Sequence, residues 1–172
     1  MIDAVTQIMR EVVEDTSARY GHDITYLFGD WSYISNTLTQ WNTPEAAAKK
    51  YPLIVLYSPF DELRGGERKG YEASLNLLIL CNTRKEYTNE QREEFSFKEV
   101  LRPIYNAFLA AVADDRRIDT RSYRDVPEHT YRENYRYGRL GVLGADGKPF
   151  RDFIDAIEIT KLNLTFNKIC KK

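Results

Sequence analysis

Hydrophobic and polar positions are ordered most regularly in the middle of the chain, between residues 51 and 81. Residues 53–57 form a continuous apolar run, and the residues after Gly70 alternate, with Ala73, Leu75, Leu77 and Ile79 on one face and Glu72, Ser74 and Asn76 on the other. A period of two is typical of a half-buried strand, and glycines between two strands indicate a hairpin. The connection around Gly65 and Gly66 is longer than a tight turn. We therefore expect a hairpin over 51–81 with a projecting, solvated loop.

Apolar residues at helical spacing predict two helices before this hairpin. The first is an amphipathic N-terminal helix over 2–19, which Gly21 ends. Residues 23–28 (DITYLF) are expected to form a short strand. Asp30 can cap the second helix, whose apolar stripe consists of Trp31, Ile34, Leu38 and Trp41. Large aromatic residues on such a stripe more often belong to a core than to an interface.

A longer helix is expected over residues 88–113, after the hairpin. Thr88 and Gln91 have the spacing of a capping box, in which each side chain bonds the backbone N–H of the other residue. Apolar residues then recur at helical spacing as far as Val112. Pro103 interrupts this segment, and because proline has no N–H to donate, we expect a kink or a break there.

Residues 115–139 differ in kind from the rest of the chain. They contain seven arginines and four tyrosines, namely Arg116, Arg117, Arg121, Arg124, Arg132, Arg136 and Arg139 with Tyr123, Tyr131, Tyr135 and Tyr137. The segment follows neither the helical nor the strand period. We expect an irregular, exposed loop, long enough to suggest a function. The turn residues 144–147 then predict a second hairpin that joins 140–143 to 150–154.

The last apolar segment predicts a C-terminal strand over residues 153–167. Ile157 and Ile159 occupy odd positions, but the apolar residues that follow occupy even positions, so the alternation slips near Thr160 and Lys161. A β-bulge produces such a slip. No repeat or linker divides the chain, so a single domain over 1–172 is expected. The fold class is α/β (α+β): an antiparallel-rich sheet of about four strands backed by helices, with long projecting loops.

Charge and composition restrict the function only coarsely. The net charge of the 172 residues is -1, which argues against attraction of the whole surface to nucleic acid or to an anionic membrane. No apolar run approaches the roughly twenty residues of a membrane helix, and the N-terminal pattern is not that of a signal peptide. The two cysteines, Cys81 and Cys170, form no CxxC pair. Synthesis in a reducing cytoplasm and no contact with membranes are expected.

Motifs of catalysis are missing from the sequence. It contains no P-loop, no GxGxxG, no GxSxG and no HExxH. Glu128, His129 and Glu133 could supply three metal ligands, but they lie among arginines, and a solvated loop is the better interpretation. We therefore predict no catalytic, metal-binding or cofactor-binding residues, and a protein that is not an enzyme.

The two polar loops are the candidate functional surfaces. Guanidinium forks and stacking tyrosines suit nucleic acid, but the same residue types are enriched in protein interfaces, and the acidic residues in the second loop weaken its basic field. We favour a protein partner over DNA, and a solvated loop with no partner is the third interpretation. The candidate interface or lumen residues are Asp61, Glu62, Arg64, Glu67, Arg68, Lys69, Arg121, Tyr123, Arg124, Tyr131, Arg132, Tyr135, Arg136, Tyr137 and Arg139.

The order of these elements resembles that of the tail terminator (tail-completion) proteins of long-tailed phages and prophages. The resemblance covers roughly residues 20–168. The most similar segments are YPLIVLY, residues 87–105 and DAIEI. It implies a subunit that forms a ring, usually a hexamer, on the finished tail tube, where it stops polymerisation and meets the head connector. That family has no catalytic motif, and the Arg/Tyr loop is longer here than the family pattern implies.

The resemblance implies a virion protein of the neck or tail, made in the host cytoplasm. Its partners would be further copies of itself, the tail tube protein, the connector or other neck proteins, and genomic DNA passing through the lumen. Three alternatives stay open: another neck subunit of the head-completion or connector kind, a nucleic-acid-binding module that uses residues 116–139, and a metal-dependent enzyme such as a nuclease. Nucleic-acid binding would weaken steeply with added salt.

Overall fold

The computed structural model describes residues 4–41, 43–65, 70–120, 126–137, 147 and 152–167. The helices are α1 (Val5–Tyr20), α2 (Trp31–Gln40), α3 (Pro44–Ala48), α4 (Asn89–Arg92), a π-helix (Glu93–Leu101) and α5 (Arg102–Asp114). The strands are β1 (Thr25–Gly29), β2 (Leu53–Tyr57), β3 (Asp61–Leu63), β4 (Gly70–Asn82), β5 (Ile118–Asp119), β6 (Thr130–Tyr137) and β7 (Ile154–Asn167).

The described residues form one seven-stranded sheet, which is built around the long antiparallel pair β4 and β7. The outer edge of β4 pairs with β2 and β3, and the outer edge of β7 pairs with β6 and β5. Strand β1 lies beyond β2 and runs parallel to it. The mixed class of helices and sheet is confirmed. The expected number of about four strands is wrong, because the strands that flank the central ones are short or charged and do not stand out in the sequence. The sheet is also mixed, since β1 and β2 are parallel.

A β-bulge interrupts the β4–β7 pairing where the alternation of the sequence slips. Leu75 faces Leu162, whereas Leu77 faces Ile159, so Asn76 alone faces the two residues 160 and 161. Lys161 has a φ of 55°, and its N–H donates to Asn76 Oδ1 over 3.0 Å. The side chain of Asn76 thus satisfies a backbone donor that the bulge removes from the ladder. The bulge predicted at Thr160 and Lys161 is confirmed.

The two faces of the sheet are covered unequally. One face carries the larger apolar core, formed with α1, the π-helix and α5, and it includes Met9, Phe97 and Phe108. The other face carries a smaller core under α2, built on Ile34 and Leu38, against which the two tryptophans pack while partly buried. As predicted, Asp30 caps α2 by accepting from the N–H of Tyr33 over 2.9 Å, and Gly21 ends α1 with a φ of 86°.

The long helical segment contains more than one kind of helix. The capping box of Thr88 and Gln91 is present, as predicted. Four α-helical residues then give way to the π-helix, whose last hydrogen bond runs from the Arg102 N–H to the Phe97 carbonyl. Pro103, which has no N–H, lies where α-helical spacing resumes in α5. The interruption expected near Pro103 is therefore a change of helix type just before it.

Several sequence predictions concern residues outside the described ranges. They include the first residues of the N-terminal helix, most of the second hairpin proposed over 140–154, and Cys170. Cys81 is buried in β4, where burial raises the pKa of its thiol to about 12. Within the ranges that the structure covers, no helix is both long enough and apolar enough to cross a membrane.

Candidate functional site

The structure separates the two groups of predicted interface residues. Asp61 and Glu62 lie in β3, on the outer edge of β4. A second group lies in β6, on the outer edge of β7, and contains Tyr131, Arg132, Tyr135, Arg136 and Tyr137. The remaining predicted residues, apart from Arg64, fall outside the described ranges: Glu67, Arg68, Lys69, Arg121, Tyr123, Arg124 and Arg139. The described members of the two groups are thus on opposite sides of the central strand pair.

The first group includes a strand within the predicted loop. Residues 61–63 form this short strand, which pairs back onto β4. Arg64 makes an ion pair with Glu62, and its guanidinium lies 4.9 Å from the centroid of the Tyr71 ring. Both contacts hold Arg64 against its own chain.

The second group forms an ordered strand, and the prediction of an irregular loop over 115–139 is wrong for 118–119 and for 130–137. Strand β6 pairs antiparallel with β7, with Tyr131 opposite Ile159 and Glu133 opposite Ile157. The alternation of apolar and polar residues in β6 is obscured in the sequence, because Glu133 lies on the inward face, where an apolar residue is expected. The signal that could have found the strand is the regular placing of Tyr131, Glu133 and Tyr135 two residues apart.

An arginine on the helical layer neutralises the inward carboxylates of this region. The Arg102 guanidinium donates to Glu133 over 2.7 and 3.0 Å and to Glu93 over 2.5 and 3.0 Å. Its hydrogen bonds hold the pKa of both glutamates below the ordinary value. Tyr131 and Tyr135 donate to the same two carboxylates, Glu133 and Glu93 respectively. The network ties β6 to the π-helix and to the first residue of α5.

Ring stacking fixes the tyrosines further. The Tyr135 ring lies 4.2 Å from that of Phe97, and the Tyr131 ring packs edge-on against Tyr105 at 4.8 Å. Burial, more than the neighbouring carboxylate, raises the pKa of Tyr135 to about 12. These tyrosines remain neutral at physiological pH, and their hydroxyls are held by Glu133 and Glu93. They form a pre-organised surface rather than a flexible arm.

A buried ion pair that the sequence analysis missed shapes the end of β6. The side chains of Arg92 and Asp155 are both fully buried and are joined over 2.8 Å. Asp155 Oδ1 also accepts from the backbone N–H of Arg136 over 2.8 Å, where φ is 64° and the pairing with β7 shifts register. The pair therefore anchors the β6 bulge to α4. The periodicity of the sequence indicates neither residue. An aspartate inside the apolar run of β7 does, however, indicate a buried partner of opposite charge.

The weak metal hypothesis for Glu128, His129 and Glu133 gains no geometric support. Glu133 is engaged by Arg102 and Tyr131, whereas His129 Nε2 contacts the Tyr105 hydroxyl at 2.7 Å and Nδ1 contacts the Pro127 carbonyl at the same distance. In the part of the chain that the structure describes, no three potential ligands converge on one point. The arrangement holds a strand in place.

The opposite edge of the sheet, β1, has a different character and was not singled out by the sequence analysis. Its residues, TYLFG, include no charge and no proline. Phe28 is 43 % exposed, and its ring lies 6.2 Å from that of Tyr26. The sheet thus has one uncharged aromatic edge and one charged, bulged edge.

Comparison with known proteins assigns no family. No family model matches the chain, and a search of curated proteins returns no match either.

Proposed function

We propose that the protein is a structural assembly subunit of a phage neck or tail, of the tail terminator kind, that acts as a ring on the tail tube. The observation that supports this best is the state of the Arg/Tyr segment. Its described part includes an edge strand, β6, in which two of the three charged side chains, Arg132 and Glu133, are paired within the chain, which suits a protein interface more than a phosphate-binding arm.

The charges near β6 carry this argument. Arg132 lies 3.4 Å from Glu158, and Glu133 is held by Arg102. Glu93 is the second carboxylate at Arg102, so acidic groups outnumber basic ones around this arginine. A nucleic-acid surface would need unpaired cations along the strand. An interface with protein needs ordered tyrosines and arginines that bury little unpaired charge, and β6 presents these.

Ring formation requires two different surfaces on each copy. A contact between unlike surfaces is heterologous, and it closes into a ring when the rotation between copies divides a full turn. The unlike edges β1 and β6 satisfy the first condition. On the tube end, such a ring would cover the surface on which further tube protein adds, and its free side would meet the connector. Another neck subunit of similar build is the nearest alternative.

Polymerisation of purified tail tube protein tests this function. We expect that adding the protein stops tube elongation and that negative-stain images show a ring at one tube end. A DNA titration at two salt concentrations provides the competing test. Tight binding of DNA that weakens steeply with salt, together with no effect on tube length, would favour the nucleic-acid-binding module instead.

The arginines of β6 offer a test of the lumen hypothesis. If Arg132 and Arg136 line a channel for DNA, then exchanging both for glutamate reduces DNA passage, because the channel wall then repels phosphate. Ring formation, tail joining and DNA delivery are measured in the same complementation assay. The double variant behaving like the wild-type protein in all three would count against a role for these arginines.

A further inference from the structure

Strand β1 lacks the charges, prolines and bulges that normally protect an exposed sheet edge. Folded proteins protect edges with charged residues, prolines, bulges or very short strands. On the other edges, β6 has charges and a bulge, β3 has three residues of which two are acidic, and β5 has two residues. Strand β1 has five uncharged residues in regular pairing with β2. It is the edge that is suited to receive another strand.

The outward hydrogen-bonding groups of β1 follow from its pairing with β2. The Thr25 N–H donates to the Pro52 carbonyl over 3.0 Å, and the Gly29 carbonyl accepts from Ser58 over 3.0 Å. In a parallel pair, alternate residues bond to the same neighbour. The N–H and carbonyl groups of Tyr26 and Phe28 therefore point away from β2. Among the residues that the structure covers, no strand pairs with this side.

The directions of the strands make β6 of another copy a suitable partner. Strand β1 is parallel to β2, and three successive antiparallel pairings lead from β2 through β4 and β7 to β6. Strands β1 and β6 are therefore antiparallel within one chain. Rotation about an axis along the strands preserves this relation between copies. The β1 edge would then meet the β6 edge of the next copy in the favoured antiparallel sense.

The side chains of the two edges also match. Tyr26 packs on the larger core, and Phe28, two residues later, lies on the same side of the sheet. On the other edge, Tyr131 and Tyr135 lie on that side as well, since Tyr131 is opposite the core residue Ile159 and Tyr135 packs on the same core. Pairing the edges would set aromatic residues side by side across the junction, an arrangement that stabilises sheets.

Two of the three charged side chains of β6 are already paired within the chain, and the third, Arg136, is exposed. Arg132 and Glu133 each have an ion-pair partner in their own chain, Glu158 and Arg102. Burying this edge against β1 would leave neither charge unpaired, and an unpaired buried charge is the main electrostatic cost of forming an interface.

We propose that β1 of one copy pairs antiparallel with β6 of the next copy, so that the sheets join into one continuous sheet around the assembly. The proposal rests on the proposed function, because it names the contact by which the subunits would form a ring. In this contact β1 is the receiving edge, and β6 is the edge that pairs with it.

Cysteine trapping tests the contact directly. A Phe28→Cys protein is mixed with a Tyr131→Cys protein, both carrying Cys170→Ser, and the mixture is oxidised mildly. Buried Cys81 stays in place. We expect a disulfide-linked dimer that contains one chain of each kind. In a second mixture Tyr26→Cys replaces Phe28→Cys, which tests a pairing register that differs by two residues. Phe95→Cys, at a helical position that is 44 % exposed, replaces Tyr131→Cys in the control mixture.

A charge on the receiving edge provides the second measurement. Phe28→Lys should weaken self-association about tenfold or more, whereas Phe95→Lys, at a position of similar exposure, should leave it unchanged. Rings that form without any mixed disulfide would overturn the pairing of β1 with β6 and leave the proposed function standing. Disulfides between two Phe28→Cys chains alone would overturn it in favour of a two-fold contact. No assembly on tubes and no disulfide would contradict both proposals.

Discussion

The buried pair of Arg92 and Asp155 gives the sharpest test of how the fold holds β6. Neither side chain is exposed, and Arg92 makes three contacts: Asp155 Oδ1 at 2.8 Å, the Arg84 carbonyl at 2.8 Å and the Tyr87 carbonyl at 3.3 Å. Asp155→Asn removes the negative charge and leaves the guanidinium buried without a counter-ion. Removing one member of a buried pair costs about 3–5 kcal/mol of the free energy of unfolding.

This cost is large against the total stability of a domain. Stabilities are typically about 5–15 kcal/mol, and each 1 kcal/mol changes the melting temperature of a domain of this size by about 2–4 °C. We therefore expect Asp155→Asn to lower the melting temperature by about 6–20 °C. Urea denaturation followed by circular dichroism gives the free energy itself. The amide oxygen introduced by Asp155→Asn can still accept from the Arg136 N–H, so the β6 bulge should persist.

Two further variants separate the charge from the hydrogen bond. Asp155→Ala also removes the acceptor for the Arg136 N–H, so amide exchange at Arg136 should become faster than in Asp155→Asn. Arg92→Met combined with Asp155→Asn removes both charges and should cost less than the two single variants added together. A loss below about 1 kcal/mol for Asp155→Asn would refute the reasoning, because a pair worth that little would behave as an exposed one.

Three other predictions follow from single contacts. Gly70→Ala should destabilise the fold by about 1–3 kcal/mol in urea denaturation, because a Cβ there would overlap the Phe166 carbonyl oxygen. Asn76→Ala should cost about 0.5–1.5 kcal/mol in the same assay through the lost acceptor at the bulge. Arg102→Met should reduce stability at pH 7, and this loss should shrink as the solution is acidified. Arg102 lowers the pKa of Glu133, so the stability that this ion pair contributes is fully present above the ordinary pKa of 4.5 and is lost as the pH falls through the folded-state pKa of Glu133.

Local sequence patterns predicted the central elements well, because there the pattern and the burial agree. The alternation in β4 and its slip in β7 together place the bulge at Lys161, and the capping box at Thr88 places the start of a helix. In each case one local rule decides the structure. Neither needs knowledge of a distant partner.

The edges of the sheet could not be predicted in the same way. Strand β6 is held by two distant residues: Arg102, 31 residues before Glu133 in the sequence, neutralises that carboxylate, and Asp155 bonds the backbone at the bulge. These contacts are long-range, and the inward face of β6 therefore looks polar in the sequence. The π-helix before Pro103 could not be predicted either, because its i→i+5 hydrogen bonds span only one residue more than the i→i+4 bonds of an α-helix.

The mass of the purified protein by light scattering, with negative-stain images of the same fraction and of tail tubes mixed with it, tests the central claim most directly. We predict a closed ring of about six 20.1 kDa subunits, free or at one end of each tube. A monomer that neither forms rings nor binds tube ends would contradict it.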